Sequence, residues 1–79
     1  MTIHIPISDL HPNVRKLYLE EKLVGGLSID YGPNTLTSWH DGKEVTLFNF
    51  TPICKMDNRW TSYEIYRNKT EIIIEITRL

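Results

Sequence analysis

One cysteine, four glycines and four prolines in 79 residues leave few parts for specialised chemistry. Cys54 has no partner within the chain, so it closes no internal disulfide. A single free thiol fits a reducing, cytoplasmic setting. No stretch approaches the roughly 20 apolar residues of a transmembrane helix. There is also no run of like charge: nine Lys and Arg are interspersed with ten Asp and Glu, for a formal charge of −1. That balance argues against a dedicated nucleic-acid binder and against a polybasic membrane-surface protein. Met1-Thr2-Ile3-His4 shows no basic region followed by an apolar one, so no export signal is expected. The glycosylation sequons beginning at Asn49 and Asn68 accordingly read as chance matches.

Without repeats, low-complexity tracts or a linker, residues 1–79 are expected to form a single domain. A chain this short buries only about 60–65% of the surface it exposes when unfolded. Small domains often make up the deficit with disulfides, a metal or a partner. With the first absent and the second poorly supplied with ligands, association with another protein or with a second copy is the remaining route.

The apolar residues that are present have a clear order. Ile3, Ile5 and Ile7 alternate with polar positions, and Pro6 suits an edge strand. Ser8 and Asp9 offer capping oxygens, and Pro12 fits the first turn of a helix. The helical period predicts a helix over 12–24, with Leu10, Val14, Leu17, Tyr18 and Val24 in one stripe and Leu19 and Leu23 nearly opposite. Gly25-Gly26 then reads as the helix stop.

Beyond Gly26 the chain reads as strand and turn. Leu27, Ile29 and Tyr31 alternate until Gly32-Pro33-Asn34. Asp41-Gly42 between two β-type runs signals a hairpin that places Ser38 opposite Val45, Leu36 opposite Leu47 and Trp39 opposite Glu44. Phe48 and Phe50 break that parity, so a bulge or a strand covered on both faces is required. A second hairpin turning at Asn68-Lys69 places Ile65 opposite Ile72, Tyr63 opposite Ile74 and Thr61 opposite Ile76, giving one apolar face. The expected fold is therefore α+β: one N-terminal helix on an antiparallel meander of five to six strands, with partial-barrel closure as the variant.

Candidate chemistry is thin. His4, His11 and His40 lack metal-ligand spacing and read as solvated turn and edge residues, so neither metal nor cofactor is expected. Cys54 next to Lys55 has no local base or oxyanion donor, and it reads as a structural thiol. Glu71 and Glu75 lie four apart on one strand, about 13 Å, too far for a glycosidase pair. Neither glycine cluster matches a phosphate loop.

The informative feature is surplus apolar surface. Trp39, Trp60, Tyr66 and Ile73 fall on the side of the sheet opposite the isoleucines, beside Glu64 and Glu71, while Leu19 and Leu23 leave the main helix stripe. Aromatic residues of this kind are enriched at interface hot spots. The expected function is non-catalytic protein binding, as an inhibitor, adaptor or accessory subunit that occludes a partner surface or pairs with itself. Compact, mildly acidic, motif-free chains of this length are common among such proteins of phages and mobile elements. The alternatives are a nucleic-acid module using Arg59, Trp60, Tyr63, Tyr66, Arg67 and Lys69, opposed by the neighbouring glutamates, and a small Cys54-dependent enzyme.

Overall fold

The computed structural model describes residues 1–51, 56 and 61–78. The elements run β1 (Thr2–Pro6), a 3-10 turn (Ile7–Asp9), α1 (Pro12–Leu19), β2 (Val24–Asp30), β3 (Thr35–His40), β4 (Lys43–Asn49), β5 (Thr61–Arg67) and β6 (Glu71–Arg78). The strands form two antiparallel three-stranded sheets, ordered β1-β6-β5 and β2-β3-β4. The fold is α+β, as the pattern predicts. The difference is that a second sheet, rather than the helix alone, covers the isoleucine face, and the sheets stay open instead of closing into a barrel.

The core lies between those layers. Ile3 and Ile5 of β1 and Ile72, Ile74 and Ile76 of β6 are buried with Ile29 and Leu36 of the second sheet, and Leu10 and Tyr18 join the same cluster. Tyr31 and Tyr63 bridge the sheets with ring centroids 5.6 Å apart. The alternation in β1 is complete, with Ile3 and Ile5 buried and Thr2, His4 and Pro6 exposed. Its pairing with β6 continues past the strand ends, where Ile7 N–H donates to Thr70 O at 3.0 Å and Ile76 N–H to Met1 O at 2.8 Å.

The two hairpins reward the pattern differently. Asp41 and Gly42 take φ values of 51° and 72°, both positive as the tight turn demands. Ser38 pairs with Val45 and Trp39 with Glu44. Leu36 pairs with Phe48 instead of Leu47, because Leu47 is the extra residue of a bulge between Leu36 and Thr37. That bulge lets Leu47 and Phe48, adjacent in sequence, both pack against the core.

In the last hairpin the register is two residues from the expected one: Ile65 faces Ile74, Tyr63 faces Ile76 and Arg67 faces Ile72. The Asn68 side chain is the cause. Its Oδ1 accepts from Thr70 N (2.8 Å), Thr70 Oγ1 (2.7 Å) and Glu71 N (2.8 Å), and Asn68 N–H donates to Glu71 O at 3.1 Å, so the turn moves one residue on, to Lys69-Thr70. A shift of two preserves parity, so the same side chains still point inward.

The helix is shorter than its stripe. It is capped by His11, whose Nδ1 accepts from Asn13 N at 3.3 Å, while Ser8 and Asp9 are used in the 3-10 turn. It ends at Leu19 rather than Val24. Lys22 N–H donates to Leu17 O and Glu21 N–H to Tyr18 O, at 3.0 and 3.2 Å, with Glu21 at a φ of 56°. This is a Schellman closure with glutamate where glycine is usual. Gly25-Gly26 lies inside β2, and Gly25 uses its φ of 83° in the irregularity between Val24 and Ser28.

A left-handed glutamate costs roughly 1 kcal/mol relative to glycine. Glu21→Gly should therefore raise the melting temperature by about 4–8 °C. A lower melting point in a calorimetric scan would contradict the strain assigned to Glu21.

Candidate functional site

The outward side of the β1-β6-β5 sheet is assembled from two distant pieces of chain, β1 and the β5–β6 hairpin. Registers across the sheet create two rows on that side: His4–Ile73–Tyr66, and Thr2–Glu75–Glu64. Pro6 and Glu71 pair at the next outward position. Each residue arrives there because its inward neighbour is an isoleucine or Tyr63 that fills the core.

The chemistry of this face is apolar at the centre and acidic around it. Ile73 is half-buried on the middle strand, and Tyr66 beside it is 49% exposed. Three carboxylates, Glu64, Glu71 and Glu75, share the face. His4 Nδ1 lies 3.2 Å from Glu71 Oε2. The Tyr66 hydroxyl donates to Glu64 Oε2. Glu64 stands directly opposite Glu75, a like-charge arrangement that opposes folding.

The hydrogen bond to Glu64 raises the Tyr66 phenol above its ordinary value of 10.0, helped by the negative charge of Glu64 and then of Glu75. Glu64→Ala should bring the Tyr66 titration down toward 10.0, read as phenolate absorbance against pH with Tyr66→Phe to assign it. An unmoved titration would show that the pair does not form in solution.

The residues singled out from sequence divide among several places. Glu64, Tyr66, Glu71 and Ile73 come together on this face. Trp39 is 48% exposed on the other sheet, in a row with Val24 and Glu44. Leu19, 48% exposed, ends the helix. Leu23 is neither helical nor exposed: it follows the Schellman closure and is 9% exposed in the core. Trp60, like Arg59 and Cys54, lies outside the described residues.

Sequence reasoning missed His4 as a member of the face, because β1 pairs with β6 across most of the chain and no local signal announces that. It also missed a groove of about 400 Å³ where the end of α1 meets the β5–β6 loop, with Tyr18, Leu19 and Leu23 beside Arg67 and Lys69.

Among the described residues, no group of three or more His, Cys, Asp or Glu side chains is placed to hold a metal ion. His40 instead contacts Asp41 at 3.3 Å and the Lys22 carbonyl at 3.2 Å. No helix of the described residues is long and apolar enough to cross a membrane. No protein-family model, curated protein or solved structure matches the chain.

Proposed function

We propose that the protein binds another protein through the outward face of the β1-β6-β5 sheet, without catalysis, and acts by covering a patch on that partner. The observation that carries this reading is the row His4–Ile73–Tyr66, a half-buried isoleucine between an exposed histidine and a half-exposed tyrosine, beside three carboxylates. Tyrosine at the centre of an interface supplies large contact area and a polar tip. Surrounding carboxylates reject like-charged partners and steer basic ones.

The same charges choose between the possible partners. A two-fold self-association through this face would set Glu64, Glu71 and Glu75 of one copy near those of the other. Nucleic acid would bring phosphates to them. A protein whose surface pairs an apolar spot with Lys or Arg meets neither penalty. Inhibitor, adaptor and accessory subunit are roles compatible with such covering, and the identity of the partner decides among them.

The test is affinity capture quantified against Ile73→Glu. A partner that binds the wild-type chain, has a basic contact surface and is lost with Ile73→Glu supports the reading. Equal capture by both forms removes it.

A further inference from the structure

The groove between the end of α1 and the β5–β6 loop has a chemistry opposite to that of the sheet face. Its floor is apolar: Tyr18 and Leu23 are each 9% exposed, and Leu19 rises at the edge. Its wall is cationic, formed by Arg67 and Lys69. Arg67 sits on the inward parity of Tyr63 and Ile65, but at the strand end it emerges over Tyr18, with its guanidinium carbon 6.0 Å from the ring centroid. Neither cation has a carboxylate within ion-pair distance among the described residues.

A hydrogen bond also joins the two sides of the groove. The Tyr18 hydroxyl donates to the Asn68 carbonyl at 3.0 Å, tying helix to hairpin. Asn68 spends its Oδ1 inside the loop, and its Nδ2 has no partner among the described residues. Burial raises the Tyr18 phenol, opposed by the charge of Arg67, so Tyr18 stays neutral beside it. Preorganisation of this kind lowers the ordering cost of binding.

We infer that this groove receives an extended peptide segment of a partner protein that carries one large apolar side chain next to an Asp or Glu. Charge complementarity selects the occupant. The apolar side chain covers Leu19, Leu23 and the Tyr18 ring. The carboxylate pairs with Arg67 in the bidentate geometry that guanidinium favours, with Lys69 as a second cation. The Asn68 Nδ2 is a donor for a peptide carbonyl, which a fatty-acid chain would not use. Glu21, on the rim, repels the incoming carboxylate and sets an upper limit to affinity. The groove and the acidic sheet face are different surfaces, and each stands or falls separately.

The experiment is fluorescence anisotropy with a labelled, acetylated and amidated peptide Gly-Ser-Asp-Leu-Asp-Ser-Gly, beside Lys-for-Asp and Ser-for-Leu versions. The Asp-Leu-Asp peptide should saturate the protein below about 1 mM. Arg67→Gln should weaken it about tenfold and Lys69→Gln about threefold. Glu21→Gln should tighten it about twofold, and added salt should weaken it. Lys43→Gln, an exposed cation outside the groove lining, should weaken binding less than either groove cation variant. Lys69 is a loop residue, so its variant keeps the test sharp even if Arg67→Gln disturbs the fold. Equal binding of the Lys-for-Asp peptide, insensitivity to both cation variants, or no saturation overturns the inference. So does binding of decanoate without binding of the peptide.

Discussion

Phe50→Ala should be the most damaging single truncation outside the isoleucine strands, costing about 3–5 kcal/mol. Phe50 is 0% exposed and is the largest of the fully buried side chains among the described residues. It follows β4 immediately, and its backbone N–H donates to the Asn34 carbonyl at 2.7 Å, which fixes where the ring enters the core. There it meets Phe48 edge-to-face, with centroids 5.8 Å apart. Edge-to-face pairs add about 0.5–1.5 kcal/mol beyond the area they bury.

Truncation removes the transfer energy of the ring and leaves a cavity bounded by two sheets that cannot easily collapse. Domains of this size hold roughly 4–12 kcal/mol in total. The variant should therefore melt about 15–30 °C lower, or be largely unfolded at room temperature. A urea titration showing a loss below about 1 kcal/mol would mean that the ring is not in the core.

Ile73→Glu should have the largest effect on partner binding with little effect on folding. Ile73 is half-buried at the centre of the outward face, flanked by His4 and Tyr66 across the strands and by Glu71 and Glu75 along its own. A carboxylate there removes the apolar centre and places a fourth negative charge among three. Hot-spot residues at an interface centre cost about 2 kcal/mol or more on truncation, so as a hot spot Ile73 should weaken binding at least about thirtyfold when replaced. Tyr66→Ala should come close to it. The melting point should move by only a few degrees, because the core contacts of β6 belong to Ile72, Ile74 and Ile76. A thirtyfold loss accompanied by unfolding would assign Ile73 to stability rather than to binding.

Much of this was legible in local pattern. Alternation identified the inward isoleucines of β6 and the inward pair in β1. Asp41-Gly42 fixed its turn because few residues tolerate two successive positive φ values. Parity survived even where register did not, since the Asn68 loop displaced the last hairpin by two residues and left every side chain on its own face. Glu64, Tyr66, Glu71 and Ile73 therefore share a face as expected.

What failed was decided by non-local or ambiguous signals. Gly25-Gly26 reads equally as a helix stop and as a strand irregularity. The chain took the second, because Glu21 accepted the left-handed position and closed the helix five residues early. Leu23 then left the helix for the core. The split into two sheets, and the pairing of β1 with β6, depend on contacts between distant segments that no window of sequence contains. The groove was hidden for the same reason: Tyr18 and Arg67 are 49 positions apart and meet only in the folded chain.

The central claim is that the outward face of the β1-β6-β5 sheet is the surface that meets a partner. The most direct measurement is NMR chemical-shift mapping of the labelled chain as a captured partner is added. Shifts should concentrate at His4, Glu64, Tyr66, Ile73 and Glu75. Shifts centred instead on Val24, Trp39 and Glu44 of the other sheet, with the β1-β6-β5 face silent, would contradict it.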